Sequence, residues 1–600
     1  MQRLPAFFLS ISLSAFAADE SGSALFQRDC AVCHKPAGGA NRTPSPEALS
    51  HLSKQAILTA LETGAMKAQG AALTATQRDA IANFLTEAHA AGSIAAAKTN
   101  SCPDAGAALP NLNGWNGWGV DLANTRFQPA NMAGLSATQV PNLKLKWAFG
   151  FPGAVVYGQP TIAGGRLFLG SGDGTVFSLD AKTGCVYWTY KAPVTVRTAI
   201  SVGAVDNGRS AAYFGDVKAN VYAVDARNGE LLWKAQVEDH PAARITGAPK
   251  LYQGRLYVPV SSIEEVSAGS PKYLCCKFRG SVVALDAKTG QRLWKTYSIP
   301  DAPAPTGQST AGTDRFGPSG GAVWSSPTLD VKRKVLYVGT GNQYTDPVTK
   351  YSDAIIAMDL DTGAVKWSSQ MSKGDHWNFG CINPNKGSCP ETQGPDIDIG
   401  SSPILRTVNG KDVLVVGQKS GVVHGLDPDK QGDILWEVRI GKGGALGGIM
   451  WGSAADEKTV YVPLSDWGVK AADGSLAGGG LFALNMGTGE KVWYAPPAKP
   501  ACGTKASCAP AQMAPATVIP GVVFSGSMDG HLRAYATSDG GVLWDFDTLR
   551  EFDTVNGIAA KGGSLNATGP TIANGMLFVN SGYAALGGMA GNVLLAFGKP

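Results

Sequence analysis

Leu285-Asp286-Ala287-Lys288-Thr289-Gly290-Gln291-Arg292-Leu293-Trp294 decides the fold, because it joins a strand ending, a Gly-containing turn and a second strand that closes on a tryptophan. Six other segments share the pattern with occasional lapses: Leu179 to Trp188, Val224 to Trp233, Met358 to Trp367, Leu426 to Trp436, Leu484 to Trp493 and Tyr535 to Trp544. Ahead of each motif lie further short alternating runs with turn residues, such as Pro160 to Gly170, which supply two more strands. With Trp147 counted as the first, the tryptophans recur 41 to 73 residues apart. Four strands at such a period make a propeller blade. The ends supply one more: Trp147 has no preceding turn of its own, and Asn592 to Phe597 has the matching inner strand but no following Trp. Joined, they form a shared blade that leaves no open sheet edge. The expected fold is mainly β, an eight-bladed β-propeller over residues 101–600, with the repeat tryptophans as wedges between blades.

The first hundred residues have a different texture. Cys30-Ala31-Val32-Cys33-His34 has the spacing of covalent haem attachment, two thiols for one porphyrin and His34 beneath the iron, in preference to a zinc or disulfide C-x-x-C. Thr74 to Ala88 is amphipathic, with Ile81, Phe84 and Leu85 on one face. A second axial ligand is sought in the loop before it. Met66, in Gly64-Ala65-Met66, stands as in small class I cytochromes c, with His51 and His89 as rivals. Residues 18–92 therefore read as a small all-α cytochrome c domain with one haem, followed by an Ala-rich linker over 93–100. Met1 to Ala17 carries Arg3, an apolar run and a small-residue cleavage site, the pattern of an export signal. An exported, periplasmic protein without stable membrane insertion is expected, and that compartment lets the other eight cysteines pair. Cys381 with Cys389 and Cys502 with Cys508 are short-loop candidates, and Cys102 with Cys185 remains. A net charge of +4 over 600 residues, with Lys and Arg scattered, excludes a nucleic-acid partner.

Four segments carry a resemblance: Trp115 to Gly119, Gly339 to Asn342, Gly394 to Asp398 and Ser525 to Gly530. With the repeat form and blade count, the region resembles the pyrroloquinoline quinone (PQQ) dehydrogenases. A cytochrome c domain ahead of the propeller resembles the quinohaemoprotein alcohol dehydrogenases that oxidise polyvinyl alcohol. That resemblance implies oxidation of secondary alcohol groups, PQQ and haem c as cofactors, Ca2+ as metal, and an external acceptor such as a periplasmic cytochrome c. A quinohaemoprotein for small primary or secondary alcohols is the alternative, and a non-enzymatic propeller scaffold with an electron-carrier domain is the reading from another class.

The chemistry asks for a base, a quinone carbonyl that accepts hydride, and a hard cation with oxygen ligands. By resemblance, Asp396 is the base and a possible metal ligand, with Asp375 as alternative; Glu265, or Glu264, and Asn342 are metal ligands. Asp398, a second acid two positions on, accompanies lanthanide use in some relatives. Trp324, outside the wedge pattern, matches the floor beneath the quinone. Arg197 and Lys419 match cations near the cofactor, and Thr246 a hydroxyl contact. Cys275 and Cys276, if bridged, close an eight-membered ring of the kind that caps PQQ in the family, though there it lies in a more N-terminal blade.

Overall fold

The computed structural model describes residues 21–90 other than 32, 35–43, 45, 47, 48, 50, 51 and 53, and residues 100–600 other than 104–108, 110, 153–156, 207, 384–386, 471–473, 475, 477, 501, 504 and 506. The export-type segment, His51 and most of the linker thus lie outside the described residues, as does the side chain of His89.

Seven blades are contiguous four-strand antiparallel sheets, counted from the strand at Thr161–Ala163 to the one at Val542–Asp547. The eighth places Lys144–Gly150 against Val593–Gly598, with Trp147 opposite Ala596, so the propeller closes on Trp147 as expected. Each blade's strand pair carries a one-residue register shift beside its tryptophan. A bulge of this kind bends the outer strand and re-aims the side chain. The indole then reaches across the blade boundary: Trp188, Trp233 and Trp436 donate to Ala226, Ala287 and Met486 carbonyls of the following blade at 3.0, 3.0 and 3.1 Å.

The Thr-Gly of the repeat explains itself at the same boundary. Asp286 accepts the Thr289 amide and hydroxyl, both at 2.8 Å, which pins the turn. Gly290 then takes φ +74°, and a Cβ there would sit 2.6 Å from the Trp233 ring of the preceding blade. Gly229 and Gly540 repeat this against Trp188 and Trp493. Only glycine satisfies both the left-handed turn and the close approach.

One segment follows no repeat. Residues 114–128 run once around the axis and bond the first, axial part of every blade in order. Gly114–Trp115 pairs with Thr161–Ala163, and Asn116 exchanges two hydrogen bonds with Val202. Lys250 donates to the Asp121 carbonyl, and the carbonyls of Leu122, Ala123, Thr125 and Arg126 accept from Leu329, Leu405, Ala455 and Val518. Gln128 ends the circuit on Ile572. Arg126, fully buried, donates to Ala516, Trp118, Gln159 and Thr517 and lies under the rings of Trp115 and Trp118. Burial lowers its pKa to about 9. The segment seals one end of the channel.

The N-terminal domain is helical: α1 (Gly22–Asp29), α2 (Lys54–Glu62), α3 (Lys67–Gly70) and α4 (Ala75–Ala90). α1 crosses α4 at Gly22, where a Cβ would lie 2.0 Å from the Ala80 carbonyl, so the two backbones touch. Leu25, Phe26, Ile57, Leu61, Leu73, Ile81 and Leu85 form its core. Thr74 and Gln77 make a reciprocal capping box that starts α4. The disulfides Cys102–Cys185, Cys381–Cys389 and Cys502–Cys508 form as the sequence suggests, and Cys275 is bridged to Cys276. No helix among the described residues is long and apolar enough to cross a membrane.

Candidate active site and haem centre

At the sealed end of the axis lies a cavity lined by Trp118, Tyr157, Arg197, Thr246, Trp324 and Trp451. Its walls are aromatic. Trp324 meets Trp451 edge-on at 5.2 Å, Trp451 meets Tyr583 at 6.4 Å, and Tyr583 meets Tyr157 at 5.0 Å. Trp118 of the threaded segment adds another wall. Gly400 lies flat on Trp324, where a Cβ would be 1.9 Å from the indole. Arg197 and Thr246 line the cavity, with the Arg197 guanidinium 5.5 Å from the Trp451 ring centroid.

Polar atoms in this wall are unsatisfied. The hydroxyls of Ser325, Ser402 and Thr568 line the cavity, are buried and have no hydrogen-bond partner, which is costly unless a polar ligand supplies one. A flat aromatic plane with carboxylates and carbonyl oxygens meets both demands of this lining, so the residues fit PQQ.

Behind the Trp324 wall lies a buried ionic group. Lys419, 0 % exposed, donates to Asp396 at 2.8 Å and Asp398 at 2.9 Å. Asp398 in turn accepts the Asn342 amide at 2.6 Å. The Asn342 Nδ2 is committed to the Trp377 carbonyl at 2.6 Å, which fixes the amide with Oδ1 as its oxygen for a ligand. Asp396 has φ +62°, held there because Asp375 accepts the amides of Asp396 and Ile397 at 2.8 and 2.5 Å. Asp375, the alternative base, is therefore the clamp on the Asp396 turn. Burial raises its pKa to about 6.

A residue that the sequence reading missed completes the group. Asp353 is 0 % exposed, has φ +48°, and neither carboxyl oxygen has a hydrogen-bond partner. Burial first, then the charges of Asp375 and Asp398, hold it well above the usual carboxylate range. Four buried acids share one lysine here, and the remaining charge requires protons or a hard cation. The oxygen donors of Asn342, Asp396 and Asp398 suit the latter. Asp353 sits in the bend just before the strand Ala354–Asp359, after Lys350-Tyr351-Ser352, a polar run in which an acid carries no distinguishing mark.

The two glutamates separate. Glu264 is fully committed: its carboxylate accepts the Lys277 and Phe278 amides and the Tyr273 hydroxyl, and His240 lies 3.3 Å away. It braces the loop that carries Cys275–Cys276. The charge of Glu265 acts on Tyr344 and Arg244. Cys275 and Cys276 are 0 % exposed and pack with Phe278, Ala322 and Tyr344 in the cluster against which Trp324 rests.

In the helical domain His34 is buried, and its Nδ1 lies 2.8 Å from the Pro44 carbonyl, an arrangement in which Nε2 is the nitrogen that could ligate a metal. Burial lowers its pKa, favouring the neutral ring an iron ligand needs. Met66, half-buried, packs against the same core. Three residues before it, the Thr63 carbonyl accepts from Lys218 of the propeller at 3.5 Å.

Comparison with known proteins agrees with both halves. The family of glucose/ethanol/alcohol dehydrogenase β-propeller domains matches residues 115–385, outer membrane protein assembly factor BamB matches three overlapping stretches between 278 and 598, and cbb3-type cytochrome c oxidase subunit III matches 17–85. A polyvinylalcohol dehydrogenase of Pseudomonas sp is 42% identical over 96% of this chain and 93% of its own length, and one from Sphingopyxis sp. (strain 113P3) is 42% identical over 96% and 92%. Quinohemoprotein alcohol dehydrogenase from Comamonas testosteroni shares the fold, with a TM-score of 0.58 at 18% identity over 82% of this chain and 81% of that one. With two relatives alike over nearly their whole length, the chain belongs to the polyvinylalcohol dehydrogenase family of PQQ-dependent alcohol dehydrogenases, and it carries that family's chemistry in a propeller joined to a cytochrome c domain.

Proposed function

We propose that the chain oxidises secondary alcohol groups, those of polyvinyl alcohol included, in the periplasm, and delivers the electrons through one covalently held haem to an external acceptor such as a cytochrome c. The observation that carries this reading is the adjacency of an aromatic cavity with orphaned hydroxyls and a buried acid group built on Asn342, Asp396 and Asp398. When bound, PQQ supplies a hydride-accepting quinone, and calcium, or a lanthanide given Asp398, supplies its polarisation.

The chain's residues do the rest. Trp324 is the floor against which the cofactor lies, Arg197 and Thr246 hold its polar rim, and Asn342, Glu265, Asp396 and Asp398 hold the metal. Asp396 takes the hydroxyl proton of the substrate. Lys419 keeps Asp396 and Asp398 oriented, and Asp375 holds the Asp396 turn. Glu264 with Cys275–Cys276 supports the wall. Cys30 and Cys33 attach the haem, with His34 and Met66 on its iron. The export-type segment over Met1 to Ala17 and four disulfides support the compartment.

The test is a substrate panel on the full chain reconstituted with PQQ and calcium, with a dye as electron acceptor so that the haem is bypassed. Polyvinyl alcohol and small secondary alcohols should show the highest kcat/KM, and Asp396→Asn should lower kcat by about 100-fold or more. Preference for small primary alcohols would favour the other quinohaemoprotein reading, and no turnover with any alcohol would overturn the assignment.

A further inference from the structure

Arg244 has no role in the reading above. It lies in the strand Ala243–Arg244, which pairs with Ser261 and Ser262, two residues before the cavity-lining Thr246. Residues i and i+2 of extended chain share a face, so Arg244 is directed to the same side as Thr246. Arg197, Tyr344, Tyr583 and Glu265 are the groups whose charges act on it, and of these Arg197 lines the cavity. Its Nε is buried without a hydrogen-bond partner, and no hydrogen bond or ion pair from its guanidinium is present among the described residues. Arg197 likewise makes no hydrogen bond there and contacts only ring faces, those of Trp451 and Tyr583.

Two guanidinium groups held near each other, both without a carboxylate on their forks, are an unfavourable arrangement in the protein alone. Their donors suit a planar polyanion with two separated carboxylates. We infer that Arg244 is a second carboxylate-binding residue for the quinone cofactor, forming with Arg197 a two-pronged clamp on its anionic rim and setting the cofactor's orientation over Trp324. This rests on the proposed use of PQQ. Burial and the neighbouring Arg197 already lower the Arg244 pKa to about 10, so a bound anion relieves a repulsion as well as filling the fork.

The test titrates the full haem-containing chain, prepared free of PQQ and supplied with calcium, with PQQ and separately with PQQ trimethyl ester, following quenching of tryptophan fluorescence. Arg244→Ala should weaken PQQ binding by about 10- to 100-fold, the loss of one charge-assisted contact, and Arg244→Lys by less. Affinity for the uncharged triester should be the same in wild type and Arg244→Ala, which also shows that the cavity of the variant is intact. PQQ binding by Arg244→Ala within about twofold of wild type overturns the inference, as does equal loss for PQQ and triester. If the wild-type chain does not bind PQQ at all, the proposed function itself fails.

Discussion

Asp375 and Asp353 show how single side chains tie the site to pH. Asp375 has a folded pKa of about 6 against an ordinary 3.8, so folding favours its protonated form. Its stabilising contribution is complete below about pH 4 and is lost as pH rises through about 6. The metal-free protein should therefore lose about 3 kcal/mol between those values, seen as a falling urea midpoint, and Asp375→Asn should flatten that slope. Asp353 acts in the same direction, its pKa being raised first by burial. Bound calcium should also flatten the profile, because a cation among these acids favours their charged forms. The sequence located Asn342, Asp396 and Asp398 by their motifs, yet it could not show that Lys419 bridges the two aspartates. Nor could it single out Arg244, at a strand end, or Asp353, in the bend before a strand, because the surroundings of each exist only after the blades converge.

The repeat turns and the threaded segment are the elements that position the cavity, and they differ in how the sequence encodes them. The turn is written seven times, so its Asp, Gly and Trp can be read from spacing alone. A glycine outside the repeat gives the reference: Gly254→Ala, in the hairpin between Lys250–Tyr252 and Arg255–Ser262, at φ +72° with nothing within 4 Å of the added Cβ, should cost about 1 kcal/mol from backbone conformation. Gly290→Ala adds a clash with Trp233 and should cost roughly 2–3 kcal/mol, both read from urea unfolding. Residues 114–128 occur once and have no periodicity, so their circuit of the axis is visible only in three dimensions. Arg126→Ala leaves the carbonyls of Ala516 and Trp118 and the Gln159 amide oxygen short of a donor, and should cost about 3 kcal/mol or more. It should also weaken PQQ binding, because Trp118 loses its support, whereas Arg126→Lys, with a single ammonium, should recover little of either.

At the scale of the whole molecule the proposed function divides the work between the two domains, hydride chemistry in the propeller and electron exit in the helical domain. The helical domain was legible because haem attachment imposes a fixed motif, and the propeller because blade closure imposes matching ends. Their mutual placement was not, since a contact such as Lys218 with Thr63 leaves no pattern in either segment. Division of labour predicts that Met66→Ala lowers electron delivery to the acceptor while leaving PQQ affinity unchanged, checked by fluorescence titration beside acceptor-coupled turnover. The central claim, that alcohol is oxidised in the propeller and its electrons leave through the haem, is tested most directly by anaerobic stopped-flow absorbance of the PQQ- and calcium-loaded protein mixed with polyvinyl alcohol. The account predicts growth of the reduced-haem absorption band that is abolished when PQQ is omitted. A haem that stays oxidised while the same preparation reduces an added dye would contradict it.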